Sequence, residues 1–191
     1  MKDDTADLHA LAEQYVRILD ADARISDYAR YLRAMLGYHL PIEETFAAND
    51  DLAQLGFAAQ RRRKSHLLER DLETLGEERP FARCTAMPAL PSMGHCIGAA
   101  YVIEGSTLGG RYILSRLPAV LAAVRGSATA FLEGYGAETG ARWRAFGAIV
   151  ERALADRDAE DAAVAGARAT FSTLIDWLAM FEGRDERRVA S

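Results

Sequence analysis

His9 and Glu13 stand four residues apart near the amino terminus, in a stretch whose apolar residues recur at helical spacing. Side chains at i and i+4 meet on one face of a helix. An imidazole that ligates a metal commonly gives its other ring N–H to a carboxylate or carbonyl, which fixes the tautomer. His9 with Glu13 supplies both parts. A surface His–Glu pair without chemistry is the plainer alternative, and this helix taken alone accommodates either.

The second candidate is the mid-chain run Ala99-Ala-Tyr-Val-Ile-Glu-Gly-Ser-Thr-Leu-Gly-Gly-Arg-Tyr-Ile113. It is apolar and helix-forming, yet it holds Gly105, Gly109 and Gly110. Each glycine in a helix interior costs about 1 kcal/mol against alanine, so the cluster needs a reason. One reason is close approach of a flat ligand to a backbone without Cβ atoms, with a kink where Gly105 meets Ser106. Tight helix–helix packing is the other.

Further charged residues are less specific. Glu104 precedes Gly105 and is expected on the exposed back of its helix, or else paired with an arginine. Arg61-Arg-Arg-Lys64 reads as a solvated helix face or as a landing patch for an acidic redox partner, since complementary charge speeds association. Arg142 and Arg144 flank Trp143, which suits either the rim of a carboxylated ring ligand or ordinary packing. His39, His66 and His95 share no ligand spacing, and the repeated Glu-x-x-His pairs of a di-iron bundle are missing. Ser106 lies in a helix, not in the strand–turn–helix elbow of an acyl-transfer nucleophile.

Helical periodicity organises the whole chain and strand alternation is nearly absent. A first helix capped by Asp3, Asp4 or Thr5 carries Leu8, Leu11, Ala12, Tyr15, Val16 and Leu19 on its apolar stripe. A second, capped by Ser26 or Asp27, runs through Pro41 and bends there. A third spans about 60–75 and stops at Gly76, and 77–91 reads as an irregular connection. The glycine-bearing helix is expected over 92–125, with Pro118 as its weak point. Two more follow near 138–155 and 158–182. Gaps between helices are too short for linkers between independent domains, so the expectation is one all-α domain over 1–185 and a charged flexible tail at 186–191.

The 191 residues are half hydrophobic and 27% charged, enough for a sizeable core. A net charge of −5 argues against nucleic-acid binding, which calls for a basic excess. No apolar run of about 20 residues offers a membrane span. The acidic start Met1-Lys-Asp-Asp is unlike a signal peptide, and two cysteines, Cys84 and Cys96, without metal-ligand spacing fit a reducing, cytoplasmic setting.

Taken together, these segments resemble the heme oxygenase family, most closely the bacterial branch that supplies biliverdin to bacteriophytochromes. Thr5-x-x-x-His9-x-x-x-Glu13 is similar to the family's first-helix signature, whose histidine is the proximal iron ligand. Asp27-Tyr-Ala-Arg-Tyr-Leu-Arg33 through Glu43 resembles its second helix, and Arg62-Arg-Lys-Ser-His-Leu-Leu68 to Gly76 the bacterial third helix. Tyr101-Val-Ile-Glu-Gly-Ser-Thr-Leu-Gly-Gly110 is the most specific match, to the distal helix that folds over heme. Gly134-Tyr-Gly136 with Trp143-Arg-Ala-Phe146, then Ala169-Thr-Phe171, resemble the closing helices.

The resemblance implies an all-α bundle that sandwiches heme between its first helix and a glycine-kinked distal helix. The activity implied is oxidative cleavage of heme to biliverdin, with release of iron and carbon monoxide. It makes His9 the metal ligand and sets Glu13, Tyr101, Gly110 and Phe171 about the heme. Gly105, Ser106 and Gly109 form the environment of oxygen and water, and Lys2, Arg144 and Arg142 meet the heme carboxylates. Ser106 stands where animal enzymes carry an aspartate that orders water, so backbone groups must anchor more of that network. Heme is substrate and cofactor at once. Electrons come from an external donor such as a ferredoxin or a reductase, because no flavin or nicotinamide fingerprint is present. A non-catalytic heme carrier or sensor and a non-heme di-iron oxygenase are the competing readings.

Overall fold

The computed structural model describes residues 1–124 and 126–189, the side chains of 120, 122 and 182–189 excepted. Among these residues every regular element is helical, as expected of an all-α chain. In order they are α1 (Ala6–Glu13), α2 (Ile25–Ala47), α3 (Asp50–Gln54), α4 (Ala59–Arg62), α5 (Ser65–Thr74), α6 (Met93–Arg116), α7 (Ala130–Glu133), α8 (Thr139–Ala153) and α9 (Arg157–Val189), with short 3-10 turns between some of them. The charged tail expected over 186–191 lies, apart from helical backbone to Val189, outside the described residues.

Helix α2 is buried on two sides. Tyr38, Ile42 and Phe46 join Ile97, Ala100, Ile103, Phe146 and Trp177 in one apolar cluster. Tyr28, Leu32 and Leu36 join Leu68, Leu72, Leu121 and Leu132 in a second. Polar ends of the large aromatics are satisfied by carbonyls of other elements: Tyr28 Oη donates to Ala128 at 2.7 Å, Tyr38 Oη to Thr170 at 2.9 Å, and Trp177 Nε1 to Ala34 at 2.8 Å. Burying these groups without partners would cost a few kcal/mol each, on the order of 1–3.

Pro41 lies inside α2, which continues to Ala47. A proline cannot donate to the carbonyl four residues back, here that of Gly37. That carbonyl instead accepts the N–H of Cys84 at 2.8 Å, from the irregular connection. The approach is close: a Cβ on Gly37 would sit 2.5 Å from the Ala82 carbonyl oxygen and 2.6 Å from the Trp177 ring.

Several expected boundaries moved, each for a local reason. The first helix ends at Glu13 because the N–H groups of Gln14, Tyr15 and Val16 bond three residues back, tightening the chain into a turn that delivers Ile18 to the core. Thr5 occupies the cap position, but its hydroxyl donates to the Met1 carbonyl at 2.8 Å. Asp27 sits inside the first turn of α2, accepting the Arg24 N–H at 2.8 Å. The expected third helix is two helices, α4 and α5, broken at Arg63 and Lys64. There the Glu43 carboxylate, from α2, takes the N–H groups of Lys64 at 2.7 Å and Ser65 at 3.2 Å and so caps α5. The glycine-bearing helix stops at Arg116, and the residue before Pro118 is extended (Leu117 φ −50°, ψ 128°), as proline demands of its predecessor. Arg125, its expected end, lies outside the described residues.

Helices α6 and α9 form the tightest pair. A Cβ on Gly98 would fall 1.9 Å from the Ala163 carbonyl oxygen, one on Gly94 2.7 Å from that of Ala159, and one on Gly166 2.2 Å from that of His95. Small residues on both helices let the backbones touch. Gly98→Ala is therefore expected to destabilise the fold by about 3 kcal/mol, the upper range for overpacking a well-packed contact, read as a lower urea midpoint. An unchanged midpoint would mean that the two helices can separate at no cost.

Candidate functional site

Helix α1 lies across α9 and the middle of α6. Leu8, Ala12 and Tyr15 pack with Tyr101, Val102, Ala167, Phe171 and Ile175. No residue of α1 itself is buried. Its anchors are polar and peripheral: Arg168 grips Asp7 through two bonds of 3.0 Å and donates to the Asp4 carbonyl at 2.6 Å, while Asp4 pairs with the amino terminus at 2.7 Å. The Arg168 contact holds the Asp7 carboxyl below its ordinary range.

His9 sits one position round from this apolar stripe. Its side chain is 60% exposed, with Nδ1 3.6 Å from Glu13 Oε1 and the ring set edge-on to Phe171 at 5.9 Å between centroids. The imidazole makes no closer polar contact among the described residues, so it is free to ligate.

The glycines of α6 divide into two classes. Gly94, Gly98 and Gly110 serve packing; a Cβ on Gly110 would meet the Leu132 carbonyl oxygen of α7 at 3.1 Å. Gly105 and Gly109 do not. A Cβ on Gly105 would touch only the tip of the Trp143 ring, at 3.8 Å, and one on Gly109 would meet nothing within 4 Å. The packing alternative is realised at Gly110, and the protein itself leaves the Gly105 and Gly109 face open. The bare Gly105–Gly109 face continues at Tyr101, whose ring lies 5.7 Å from that of Trp143 and whose phenol is pushed upward in pKa by burial. Ser106 turns its hydroxyl back on its own helix, donating to the Ile103 carbonyl at 2.8 Å.

The cations differ in availability. Lys2 and Arg144 are exposed and make no ion pair among the described residues. Arg142 is engaged: it bonds Glu138 at 2.9 Å and the Arg61 carbonyl at 3.0 Å and lies 4.5 Å over the Tyr135 ring. His9, Tyr101 and Phe171 are thus brought together, with Gly105 adjoining through Trp143. Gly110 and Arg142 point to other neighbours.

One expectation is decided and one corrected. For Glu104 the second alternative holds, pairing with an arginine and not exposure: it is 3% accessible and ion-paired with Arg62 and, at 2.7 Å, with Lys64. Arg61-Arg-Arg-Lys64 is not a solvated face, because Lys64 is 1% accessible and Arg62 is stacked against the Phe57 and Phe146 rings. The signal for Glu104 was present: Ala100, Ile103, Glu104 and Thr107 share one stripe at helical spacing, and all four are buried.

The burial of His39 with Glu43 was not legible in the sequence. His39 is fully buried with Nδ1 3.2 Å from Glu43 and its ring edge-on to Phe131. Burial would raise the Glu43 carboxyl, but the His39 contact and the Ser65 and Lys64 bonds outweigh it and hold the pKa at about 2. His39 Nε2 and Thr107 Oγ1 are buried without a hydrogen-bond partner. Among the described residues no three His, Cys, Asp or Glu side chains are grouped to hold a metal ion, and no helix is long and apolar enough to cross a membrane.

A free imidazole on one helix and a side-chain-free stretch on another suit a planar metal complex with carboxylates at its rim. Comparison with known proteins points the same way. The family model "Heme oxygenase" matches residues 1–180. A heme oxygenase from Xanthomonas campestris pv. campestris (strain 8004) is 31% identical over 158 residues, covering 81% of this chain and 87% of that one. The NO- and CO-bound heme oxygenase of Neisseria meningitidis shares the fold, with a TM-score of 0.76 at 21% identity over 95% of this chain and 89% of the other. On the family match and the Xanthomonas relative, the chain belongs to the heme oxygenase family.

Proposed function

We propose that this heme oxygenase holds its substrate between α1 and the Gly105–Gly109 face of α6, with His9 as the iron ligand. The observation that carries this reading is the uncommitted His9 imidazole together with a helix face at Gly109 that meets nothing within 4 Å. The enzyme cleaves heme oxidatively to biliverdin, releasing iron and carbon monoxide. The oxygen chemistry belongs to the iron porphyrin; the protein supplies binding, orientation and electrostatics.

Each residue has a task suited to its surroundings. Glu13, one turn from His9, orients the imidazole through its Nδ1 side. Phe171 and Tyr101 flank the ring plane with apolar surface. Gly105 and Gly109 let backbone approach the reacting oxygen, confining it beside one meso carbon. Ser106, its proton given to Ile103, offers only lone pairs to a water there. Lys2 and Arg144 are free to pair with the carboxylates, whereas Arg142 must first leave Glu138 and the Arg61 carbonyl. Electrons enter from an external donor, a ferredoxin or a reductase. In a cytoplasmic setting the product serves a bacteriophytochrome, the recipient suggested by the resemblance of residues 62–76 and 101–110 to the phytochrome-linked branch.

Helix α1, which buries no residue, should gain most from substrate. Regions with few buried contacts open locally at low free energy. In hydrogen–deuterium exchange the amides of 8–13 are expected to exchange freely in the apo-protein and to slow by about tenfold or more with heme, as for local opening suppressed by a bound ligand. Residues 101–109 should slow with them, and 94–100 should not change. Protection confined to other elements would overturn the placement.

A further inference from the structure

Glu104 stands beside the glycine face but belongs to the opposite side of α6. Its carboxylate is the hub of a sealed cluster. One oxygen accepts Lys64 Nζ at 2.7 Å and Tyr135 Oη at 2.9 Å, and the other pairs with Arg62. Lys64 makes two more bonds, to the Arg62 carbonyl at 3.0 Å and to Tyr135 Oη at 3.1 Å. An ammonium has three donors, and all three are used. Burial pushes the Lys64 pKa down against the pull of Glu104, so the ionic form of the cluster depends on its partners staying in place.

The cluster joins three parts of the chain in one buried hub, where the other polar links, Arg111 to the Gly136 carbonyl at 3.2 Å and Arg142 to the Arg61 carbonyl at 3.0 Å, are exposed and join them only two at a time. Lys64 and Arg62 come from the α4–α5 joint, which Glu43 pins to α2. Tyr135 comes from the turn between α7 and α8, set between Gly134 and Gly136, both at positive φ (58° and 55°). Glu104 is the contribution of α6. Apolar ridges tolerate small rotations of a helix, whereas a buried carboxylate with three directional partners does not. Removing one member of such a pair leaves a buried charge uncompensated.

We propose that Glu104 is a positioning residue for heme cleavage: held by Lys64, Arg62 and Tyr135, it fixes the rotation of α6 about its own axis and so the meso carbon that Gly105 and Gly109 expose to oxygen. This rests on the reading above, that the Gly105–Gly109 face meets the substrate. With 3.6 residues per turn, Glu104 lies about 100° from Gly105 and about 140° from Gly109 around the helix, behind the face it controls. A rotation of about 20° moves backbone atoms, at a radius of about 2.3 Å, by about 0.8 Å. Displacements on that scale at a reacting centre matter: about 1 Å can cost about a hundredfold in rate.

The test uses Glu104→Gln, which keeps the shape and removes the charge, and Tyr135→Phe, which keeps both ion pairs. Gly109→Ala is the control for the substrate face. Each heme-loaded variant is turned over with ascorbate and the biliverdin isomers are separated; the carbon monoxide stretch of each ferrous carbonyl complex is recorded alongside. Glu104→Gln should raise the minor isomers relative to the wild type by about tenfold, the scale of a sub-ångström misplacement, and shift or split the carbon monoxide band. Tyr135→Phe should move both readouts the same way by less. Wild-type isomer ratios and an unchanged band in Glu104→Gln would overturn the role of Glu104, and Tyr135→Phe decides by the same criteria if Glu104→Gln does not fold. If Gly109→Ala shifts the band while the other two variants do not, the substrate face stands and the clamp falls. If Gly109→Ala also matches the wild type, the substrate face itself is misplaced and the clamp falls with it.

Discussion

Gly109→Leu is expected to leave the apo-protein folded and to cut heme turnover by about a hundredfold, the cost of displacing a reacting centre by about 1 Å. The reasoning starts from the space around the residue. A Cβ at 109 meets nothing within 4 Å, so the leucine introduces no clash into the apo fold. Replacing a glycine inside a helix also gains about 1 kcal/mol of propensity. A urea midpoint at or slightly above the wild type is therefore the expected stability result. The isobutyl group then occupies the space assigned to heme and its bound oxygen, and biliverdin formation, followed by absorbance, should fall with peroxide release rising. Gly110→Leu is the matched contrast. Its Cβ meets the α7 backbone at 3.1 Å, so that variant should lose stability even without substrate. A folded Gly109→Leu protein making biliverdin at the wild-type rate would remove Gly109 from the site.

His9→Ala is expected to abolish axial ligation of the heme iron while leaving the apo fold within about 0.5 kcal/mol of the wild type, the usual range for exposed positions. The side chain is 60% exposed and its packing is one edge contact with Phe171, so little else is lost. Absorption and resonance Raman spectra of the ferrous heme complex should lose the iron–histidine signature, and added imidazole should restore it by filling the truncated space. A signature that survives would shift the assignment to another imidazole. His39 is sealed against Glu43 and Phe131, and His95 Nδ1 is engaged with Ser92 at 2.8 Å, so neither is as ready as His9.

Much of this was legible from residue pattern. The all-α class, the irregular stretch before α6 and the break at Pro118 follow from helical periodicity and proline position. The glycines of α6 were legible as an anomaly but not as two classes. Which neighbour a missing Cβ would strike depends on α7, α8 and α9, and no local pattern carries that. Gly98 and Gly166 went unremarked because alanine-rich surroundings blend small residues into ordinary helix. For Glu104 the sequence offered solvent or an arginine without choosing, because a carboxylate's partner is not local: here the partners lie 40 residues upstream and 31 downstream. The split of the third helix at Lys64 has the same origin, since the cap for α5 comes from Glu43 on another helix.

The interlocked backbones of α6 and α9 make α6 a lever. Its root is the Gly94–Gly98 contact, where it meets the α9 backbone and nothing larger than the Ala162 methyl. Its arm runs from there to Gly109, eleven residues or about 16 Å at 1.5 Å per residue, steadied partway by the Glu104 cluster and beside its tip by the contact of Gly110 with α7. A tilt of about 4° at the root displaces Gly109 by about 1 Å over that length. Substitutions at Ala163 or Gly166, which meet α6 at its root, therefore act through leverage. With heme on the Gly105–Gly109 face, as proposed, the chemistry at the tip inherits the tolerances of a joint a helix-width wide and three turns away.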